Sequence, residues 1–259
     1  MTGLRAQDIA TYLDDVLKVA TIPDYPQALN GLQIENAGPI ERLGAAVDFS
    51  ARTVDGAARA GINFLLVHHG AFWGGLRRLV GPAYRRFCSV FRNDLAVYAA
   101  HLPLDAHQRF GNNVLLAEEL QLLPSAGFAR YENFPIGVSG ESELSTAELF
   151  QRLEAFARKW GGVAKASAFE PSRRTHRWAI CTGAGASADT LREAASAGID
   201  TLVVGEGPHY SAVDAPELGI AVLYGGHYAT EILGVRAVTA HLAERFSIPW
   251  EFIHAPTGM

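Results

Sequence analysis

The sequence contains 259 residues, of which 49% are hydrophobic and 19% charged, with a formal net charge of -5. This composition is typical of a globular protein with a substantial core, built as one large domain or two small ones. The acidic balance argues against a dedicated nucleic-acid-binding protein, which usually carries a basic surplus or stripe. The main local exception is an arginine cluster formed by Arg77, Arg78, Arg85 and Arg86, for which a solvated helix face is the ordinary interpretation.

The sequence also argues against a membrane or secreted protein. Residues 1–8 lack the apolar core of a signal peptide, and no apolar run approaches the ~20 residues that a membrane span requires. The two cysteines, Cys88 and Cys181, form neither a CxxC motif nor a disulfide framework, so both are expected to be buried thiols in a reducing compartment. We therefore expect a cytoplasmic location.

In chain order, the first strong signals alternate between helix and strand. An apolar face at helical spacing predicts a helix over residues 9–20, and residues 43–49 predict a buried strand. Ser50 or Thr53 is the expected cap of a helix that runs to residue 60. The next strand begins at residue 64 and runs directly into two adjacent histidines.

Further signals follow with uneven strength. The aromatic and glycine-rich residues 71–75 are expected to pack locally or to wall a substrate pocket. A helix over 84–93, a strand over 95–100 and a helix over 111–120 come next. Signals weaken between residues 123 and 177, where a helix from about 145 to 160 and short strands near 134–138 and 162–168 are predicted. Arg173, Arg174 and Arg177 are interpreted as a surface turn.

The second half of the chain repeats the first. Residues 58–67 match residues 195–204 without a gap, and matching segments lie upstream and downstream in the same order. Each unit predicts strand, helix, strand, connection, strand and helix, which is the pattern of a layered α/β domain. We therefore predict two similar α/β domains, residues 1–123 with 234–259 and residues 124–233, with a metal site in the cleft between them.

Equivalent strand ends in the two units carry imidazoles and carboxylates. His101 and Asp105 lie four residues apart after a strand of the first unit, and His227 and Glu231 have the same spacing in the second. Residues four apart face the same way when the segment is helical. The repeat therefore predicts that the two units share one site.

The number and type of these ligands indicate two ions. His68 and His69 are adjacent on a strand, so their side chains are expected on opposite sides, one for each ion. Nitrogen and oxygen ligands without thiolate suit zinc, manganese, iron or nickel, which the sequence does not rank. The predicted metal ligands are His68, His69, Asp105, His227 and Glu231.

Other polar residues have less certain roles. Glu231 and His101 are the predicted catalytic residues, with His101 next to the ligands or in contact with substrate. His209 is a candidate pocket residue, and His241 is expected at the surface of a C-terminal helix. Residues 183–187 form either a simple strand-to-helix turn or a phosphate-binding loop, and the turn is favoured.

The same segments resemble the Nif-three-like family, which is described as GTP cyclohydrolase type two homologs. The matching motifs are Asn30-Gly31-Leu32-Gln33, Val67-His68-His69-Gly70-Ala71-Phe72-Trp73, His101-Leu102-Pro103-Leu104-Asp105 with Gly111-Asn112-Asn113, Gly205-Glu206, and Gly226-His227-Tyr228-Ala229-Thr230-Glu231. The resemblance implies a dinuclear site on the five predicted ligands, two intertwined α/β domains and a ring-shaped homohexamer with the sites facing its cavity.

Two classes of function follow. The first is a metal-dependent hydrolase in which two ions activate water. The resemblance points to ring opening of GTP, although the residues themselves contain no P-loop or other guanine-reading motif. The alternative is a non-catalytic, metal-binding oligomeric scaffold or partner-binding protein. A nucleic-acid-processing ring lined by the arginine cluster is a third hypothesis, which the acidic balance weakens.

Overall fold

The computed structural model describes residues 3–75 and 77–259. Met1 and Thr2, part of the N-terminal stretch considered above, lie outside the described residues. The chain forms the α/β fold that was predicted, with two β-sheets. It divides into two compact units, the first comprising Met1–Leu104 with Gly234–Ala255 and the second Asp105–Leu233 with Pro256–Met259. Asp105 and the helix that follows it thus belong to the second unit, whereas the sequence grouped them with the first.

The secondary-structure elements are numbered along the chain. The helices are α1 (Ala6–Val16), α2 (Ala51–Arg59), α3 (Gly81–Arg92), α4 (Leu102–Asp105), α5 (Asn112–Glu119), α6 (Thr146–Lys159), α7 (Ala188–Ser196), α8 (His209–Glu217), α9 (His227–Thr230) and α10 (Ile232–Phe246). The strands are β1 (Gly31–Ile34), β2 (Leu43–Asp48), β3 (Phe64–His69), β4 (Ala96–Ala99), β5 (Ala126–Tyr131), β6 (Phe134–Ser145), β7 (Lys165–Ala166), β8 (Arg174–Cys181), β9 (Thr201–Val204), β10 (Ala221–Tyr224) and β11 (Trp250–Phe252).

The first unit is built on a five-stranded sheet in the order β1-β4-β3-β2-β11. Strands β2, β3 and β4 are parallel neighbours, so their carboxyl ends lie at one edge of the sheet. The apolar part of β3, Phe64 to Val67, is fully buried, as expected for a central parallel strand covered on both faces. Ser50 caps α2 by accepting the Thr53 N–H, which fixes the turn after β2. This edge is where the histidines of the first unit emerge.

The second unit is built on a six-stranded sheet in the order β5-β6-β8-β9-β10-β7. Its strands β8, β9 and β10 are parallel neighbours, while β5, β6 and β7 pair antiparallel with their partners. Each sheet therefore contains three adjacent parallel strands in the same sequential order. That arrangement is consistent with the internal repeat, which remains a prediction.

The region of weak sequence signals contains more strand than was predicted. Strand β6 runs for 12 residues instead of the five expected near 134–138. It pairs with β8, where Arg174 lies opposite Ser145 and Arg177 opposite Glu141. The interpretation of Arg174 and Arg177 as part of a turn was therefore wrong. Both are strand residues on an exposed stretch, where polar side chains hide the alternation that marks a half-buried strand.

Both cysteines are free thiols. Cys181 is buried as predicted, whereas Cys88 is only half-buried. Within residues 3–75 and 77–259, no helix is both long enough and apolar enough to span a membrane.

Trp178 is the largest fully buried side chain, and it lies in the core of the second unit with Leu149 and Leu153. We predict that Trp178→Ala lowers the free energy of unfolding by about 3–5 kcal/mol, because it removes a large apolar side chain and leaves a cavity. Denaturant unfolding followed by circular dichroism measures this loss. Val163→Ala is the control, since Val163 is 74% exposed and its truncation should change stability by less than about 0.5 kcal/mol. Equal effects of the two substitutions would contradict this account of the core.

Candidate metal centre

The adjacent histidines at the end of β3 are each held by a hydrogen bond through Nδ1. Strand register places Asp48 of β2 beside His69, and Asp48 Oδ1 lies 2.9 Å from His69 Nδ1. His68 Nδ1 lies 2.8 Å from the carbonyl oxygen of Ala100, just after β4. Because a carbonyl or carboxylate oxygen only accepts, both rings carry their proton on Nδ1. In each ring the unprotonated nitrogen is therefore Nε2, which is the ring atom that could ligate a metal ion.

His101 is held in the same way by Asp24. Its Nδ1 lies 2.8 Å from Asp24 Oδ1, while the other carboxylate oxygen accepts hydrogen bonds from the Asn30 amide and the Leu102 N–H. Burial alone would raise the pKa of Asp24, but the hydrogen bond and charge of His101, together with the bonds from Asn30 and Leu102, lower it below its ordinary value. Asp24 is therefore a buried carboxylate that fixes both His101 and the start of α4.

His68, His69 and His101 form a histidine cluster within the first unit. One ring nitrogen from each lies within 4.8 Å of those of the other two, and His68 and His101 are buried. The ring centroids of His68 and His69 are only 4.9 Å apart, and the assignment of one ion to each of them stays a prediction. His101, predicted as a catalytic rather than a ligating residue, is also close enough to share an ion. This buried cluster has the composition and spacing of a site that can hold a metal ion.

The second unit carries a separate set of candidate ligands. His227 Nε2 lies 3.1 Å from Glu231 Oε2, as their four-residue spacing predicted, and His227 Nδ1 lies 2.8 Å from Glu206 Oε1. Burial alone would lower the pKa of His227, but the charges and hydrogen bonds of Glu231 and Glu206 raise it to about 9. In the metal-free protein His227 is thus a cation between two carboxylates.

Asp105 is positioned by residues at the start of α5. The Asn112 side-chain amide donates to Asp105 Oδ1 at 2.8 Å, and both groups are buried. Gly111 approaches so closely that a Cβ there would lie 2.5 Å from the Asp105 carbonyl oxygen. The motif at residues 111–113 therefore does more than start a helix, because it holds the Asp105 carboxylate in place.

The loop after β8 closes around Glu231. Gly183 has a φ of +62°, and a Cβ there would lie 2.1 Å from Glu231 Oε1, so only glycine fits. Its N–H donates to Thr230 Oγ1, while the Ala186 N–H donates to the Glu206 carbonyl oxygen. Since these amides bond to the protein itself, the structure favours the strand-to-helix turn over a phosphate-binding loop.

Cys181 at the end of β8 is not a plausible ligand. Burial raises the pKa of its thiol to about 12, and the charges of Asp105, Glu193 and Glu231 add to this effect. The thiol therefore stays protonated at neutral pH, in agreement with a site of nitrogen and oxygen ligands. The shift also shows that Asp105 and Glu231 lie near the same buried group.

The arrangement of hydrogen bonds fits divalent metal ions. Metal-binding histidines usually donate their second N–H to a carboxylate or carbonyl, which fixes the tautomer and the direction of the ring. All four histidines do so here, to Ala100, Asp48, Asp24 and Glu206. The sequence did not assign these anchoring roles to Asp24, Asp48 and Glu206. A carboxylate at the end of a neighbouring strand was the available signal for Asp48, whereas Asp24 lies 77 residues from His101.

Comparison with known proteins identifies the family of this chain. A family model described as Duf34/NIF3 (NGG1p interacting factor 3) matches residues 4–257. The chain belongs to the Duf34/NIF3 family. This confirms the resemblance found in the sequence motifs.

Relatives of this Duf34/NIF3 chain match it along nearly their whole length. A Deinococcus radiodurans protein named GTP cyclohydrolase 1 type 2 homolog is 39% identical, over 97% of this chain and 94% of its own. A Pyrococcus abyssi protein of the same name is 34% identical over 99% of this chain and all of its own. The solved structure of protein ybgI, described as of unknown function, superposes with a TM-score of 0.88 at 30% identity, covering 99% of this chain and all of that one.

Three further histidines of this Duf34/NIF3 protein lie outside the two sets of candidate ligands. His107 Nδ1 accepts the N–H groups of Arg109 and Phe110 and so stabilises a turn. His241 is half-buried rather than at the surface, with Nε2 2.6 Å from the Tyr12 hydroxyl. His209 is exposed at the start of α8, and its suggested pocket role stays a prediction.

The raised pKa of His227 predicts a specific pH dependence for the metal-free protein. Because the folded pKa of about 9 exceeds the ordinary value near 6.5, protonation of His227 stabilises the fold fully below pH ~6.5, and this stabilisation is lost as the pH rises through about 9. NMR titration after chelator treatment should give a His227 midpoint near 9. In Glu206→Gln the midpoint should fall, because one neighbouring charge is gone. A wild-type midpoint near 6.5 would contradict the assigned contacts.

Proposed function

We propose that this protein is a dinuclear metal-dependent hydrolase that binds two divalent ions through His68, His69, Asp105, His227 and Glu231. The observation that carries the proposal is the hydrogen bond from Nδ1 of each histidine to a fixed oxygen, which leaves Nε2 as the ligand atom. A histidine that only stabilises the fold can form its hydrogen bond through either ring nitrogen. Anchoring through Nδ1 at all three histidines therefore favours metal ligands. Zinc, manganese, iron and nickel all suit these ligands.

Paired divalent ions supply Lewis acidity and lower the pKa of coordinated water toward ~7. The protein's own contribution is to orient groups and move protons. We assign His101 Nε2 as the atom that takes a proton from the attacking water and returns one to the leaving group. Asp24, hydrogen-bonded to Nδ1, would stabilise the resulting imidazolium. Glu231 combines ligation with orientation of the neighbouring His227 ring.

We propose a nucleotide as the substrate class, with ring opening of GTP as the first reaction to test. The support is the name of the relatives, GTP cyclohydrolase 1 type 2 homolog. In such a reaction water adds to the imidazole carbon of the purine and a C–N bond of that ring breaks. Metal-loaded protein should be screened against nucleotides, phosphoesters and cyclic amides, since all three present carbon or phosphorus to activated water.

Glu231→Gln tests the proposal most directly. Glu231 is only 3% exposed, and the amide keeps its shape but removes the negative charge that a cation requires. We expect metal content, measured by inductively coupled plasma mass spectrometry, to fall at least tenfold, with turnover lost together. Glu217→Gln is the matched control, because Glu217 is exposed on α8 and its exchange should leave both unchanged. Full turnover by metal-free Glu231→Gln would exclude the mechanism.

The alternative is a metal-binding scaffold without turnover. Full burial of His68 favours it, because a buried ligand restricts access to the ion. The two functions differ in whether a coordination position is open to exchangeable ligands. Azide added to cobalt-loaded protein distinguishes them: a changed absorption spectrum supports the hydrolase, and an unchanged spectrum supports the scaffold.

We further propose that the protein is cytoplasmic, and that it forms a homohexamer, as the family resemblance implies. The chain mass is 27.9 kDa, so sedimentation equilibrium should give six times that value at micromolar concentration. A mass of one or two chains across the concentration range would exclude the hexamer without affecting the metal site.

A further inference from the structure

Two aromatic side chains lie beside the histidine cluster and are partly exposed. Tyr25 is 47% exposed and Trp73 37% exposed. The Trp73 ring centroid lies 4.4 Å from that of His101 and 5.2 Å from that of His69. Tyr25 packs edge-to-face on Trp73 at 6.4 Å and lies 6.0 Å from His101. We call Tyr25 and Trp73 the aromatic rim.

A small pocket lies in the same unit, and its lining includes Phe72, the residue before Trp73. Its volume is about 280 Å³, close to the lower limit of ~300 Å³ for small-molecule sites and too small for a folded partner. The lining residues are Leu29, Asn30, Leu32, Gln33 and Phe72. Asn30 links the pocket to the histidine cluster, because its side-chain oxygen accepts the backbone N–H of His101 at 2.7 Å.

The segment that carries Trp73 is held in a defined conformation. The Ala71 N–H donates to Gln33 Oε1 at 2.6 Å, and the Gly75 N–H donates to the Phe72 carbonyl oxygen at 2.7 Å. Gly70 packs so tightly on Gln33 that a Cβ would lie 2.4 Å from its amide. The position of Trp73 is therefore set before any ligand binds, which lowers the entropic cost of binding.

We propose that the aromatic rim binds the planar heteroaromatic ring of the substrate and presents it to the histidine cluster. The reaction of the bound ring depends on the proposed function, whereas the binding of the ring does not. Exposed aromatic surface beside buried polar groups is the composition of a ligand site. Aromatic faces bind planar rings by stacking, and a saturated ring loses that interaction.

The polar groups of the pocket indicate that it recognises heteroaromatic rings as a class rather than one particular nucleobase. The Gln33 amide nitrogen donates to the Ala28 and Leu29 carbonyls, and the Asn30 amide nitrogen donates to Asp24. With these amides bonded to the protein, affinity depends mainly on the ring faces. Purine and pyrimidine rings should therefore both bind, with the larger ring preferred.

The test uses nucleosides as probes with chelator-treated, full-length protein. Binding is measured from the indole N–H signals of the four tryptophans in heteronuclear NMR spectra, with Trp73 assigned by its loss in Trp73→Leu. Guanosine, adenosine and uridine should shift the Trp73 signal. The matched control ligand is 5,6-dihydrouridine, which has the same sugar and polar groups as uridine but a puckered ring, and it should bind at least tenfold more weakly than uridine.

Three variants assign the effect to the rim. Trp73→Leu and Tyr25→Leu keep an apolar side chain but remove the ring, so each should weaken guanosine binding about tenfold or more. Trp73→Phe should recover part of the affinity. Tyr84→Leu is the control, because Tyr84 is an exposed aromatic residue of the same unit, on α3, and its loss should leave guanosine binding unchanged.

The outcomes separate this inference from the proposed function. Unchanged guanosine affinity in Trp73→Leu, equal binding of uridine and dihydrouridine, or no binding of any nucleoside to the wild type would each overturn the role of the rim. Metal content of Trp73→Leu should equal that of the wild type. If the protein bound no metal or showed no turnover but kept rim-dependent nucleoside binding, the hydrolase would fail and the ring site would stand.

Discussion

The hydrogen bond between Nδ1 of a histidine and a fixed oxygen is the interaction on which the candidate site depends. Four histidines make it, and the oxygens belong to Asp48 at the end of β2, Ala100 after β4, Asp24 before β1 and Glu206 after β9. Each bond fixes one ring direction without help from a metal, and in a neutral ring it also selects one tautomer. The parallel strands supply the rigidity for His68 and His69, because their carboxyl ends place the side chain and its acceptor on neighbouring strands at fixed register.

This arrangement concentrates carboxylates in buried surroundings, which is costly without compensation. In the second unit the compensation is visible: His227 carries a proton between Glu206 and Glu231, with its pKa raised to about 9. A divalent cation would replace that proton with a larger charge, since a histidine must be neutral to ligate. Burial, together with the charges of Asp105, Glu193 and Glu231, raises the pKa of the Cys181 thiol to about 12 and keeps it protonated.

The sequence predicted the parallel strands and the histidines at their ends, because buried parallel strands are continuous apolar runs. The cap Ser50 was also readable, since capping is local. The long strand β6 and the strand positions of Arg174 and Arg177 were not, because these half-exposed antiparallel segments are polar. The anchoring of His101 by Asp24 depends on the fold itself, which joins residues 77 apart.

Ligation and recognition are carried by different parts of the first unit. His68 and His101 are buried close to the ends of β3 and β4, whereas Tyr25 and Trp73 lie on connecting segments and are 47% and 37% exposed. Substitutions in the rim can therefore change ring recognition without moving the ligands. The separation is incomplete, because the Trp73 ring lies 4.4 Å from that of His101, and the Tyr25 N–H donates to Asp24 Oδ1, the oxygen that also anchors His101. A displacement of Tyr25 by a bound ring would thus reach the His101 imidazole through a single shared carboxylate.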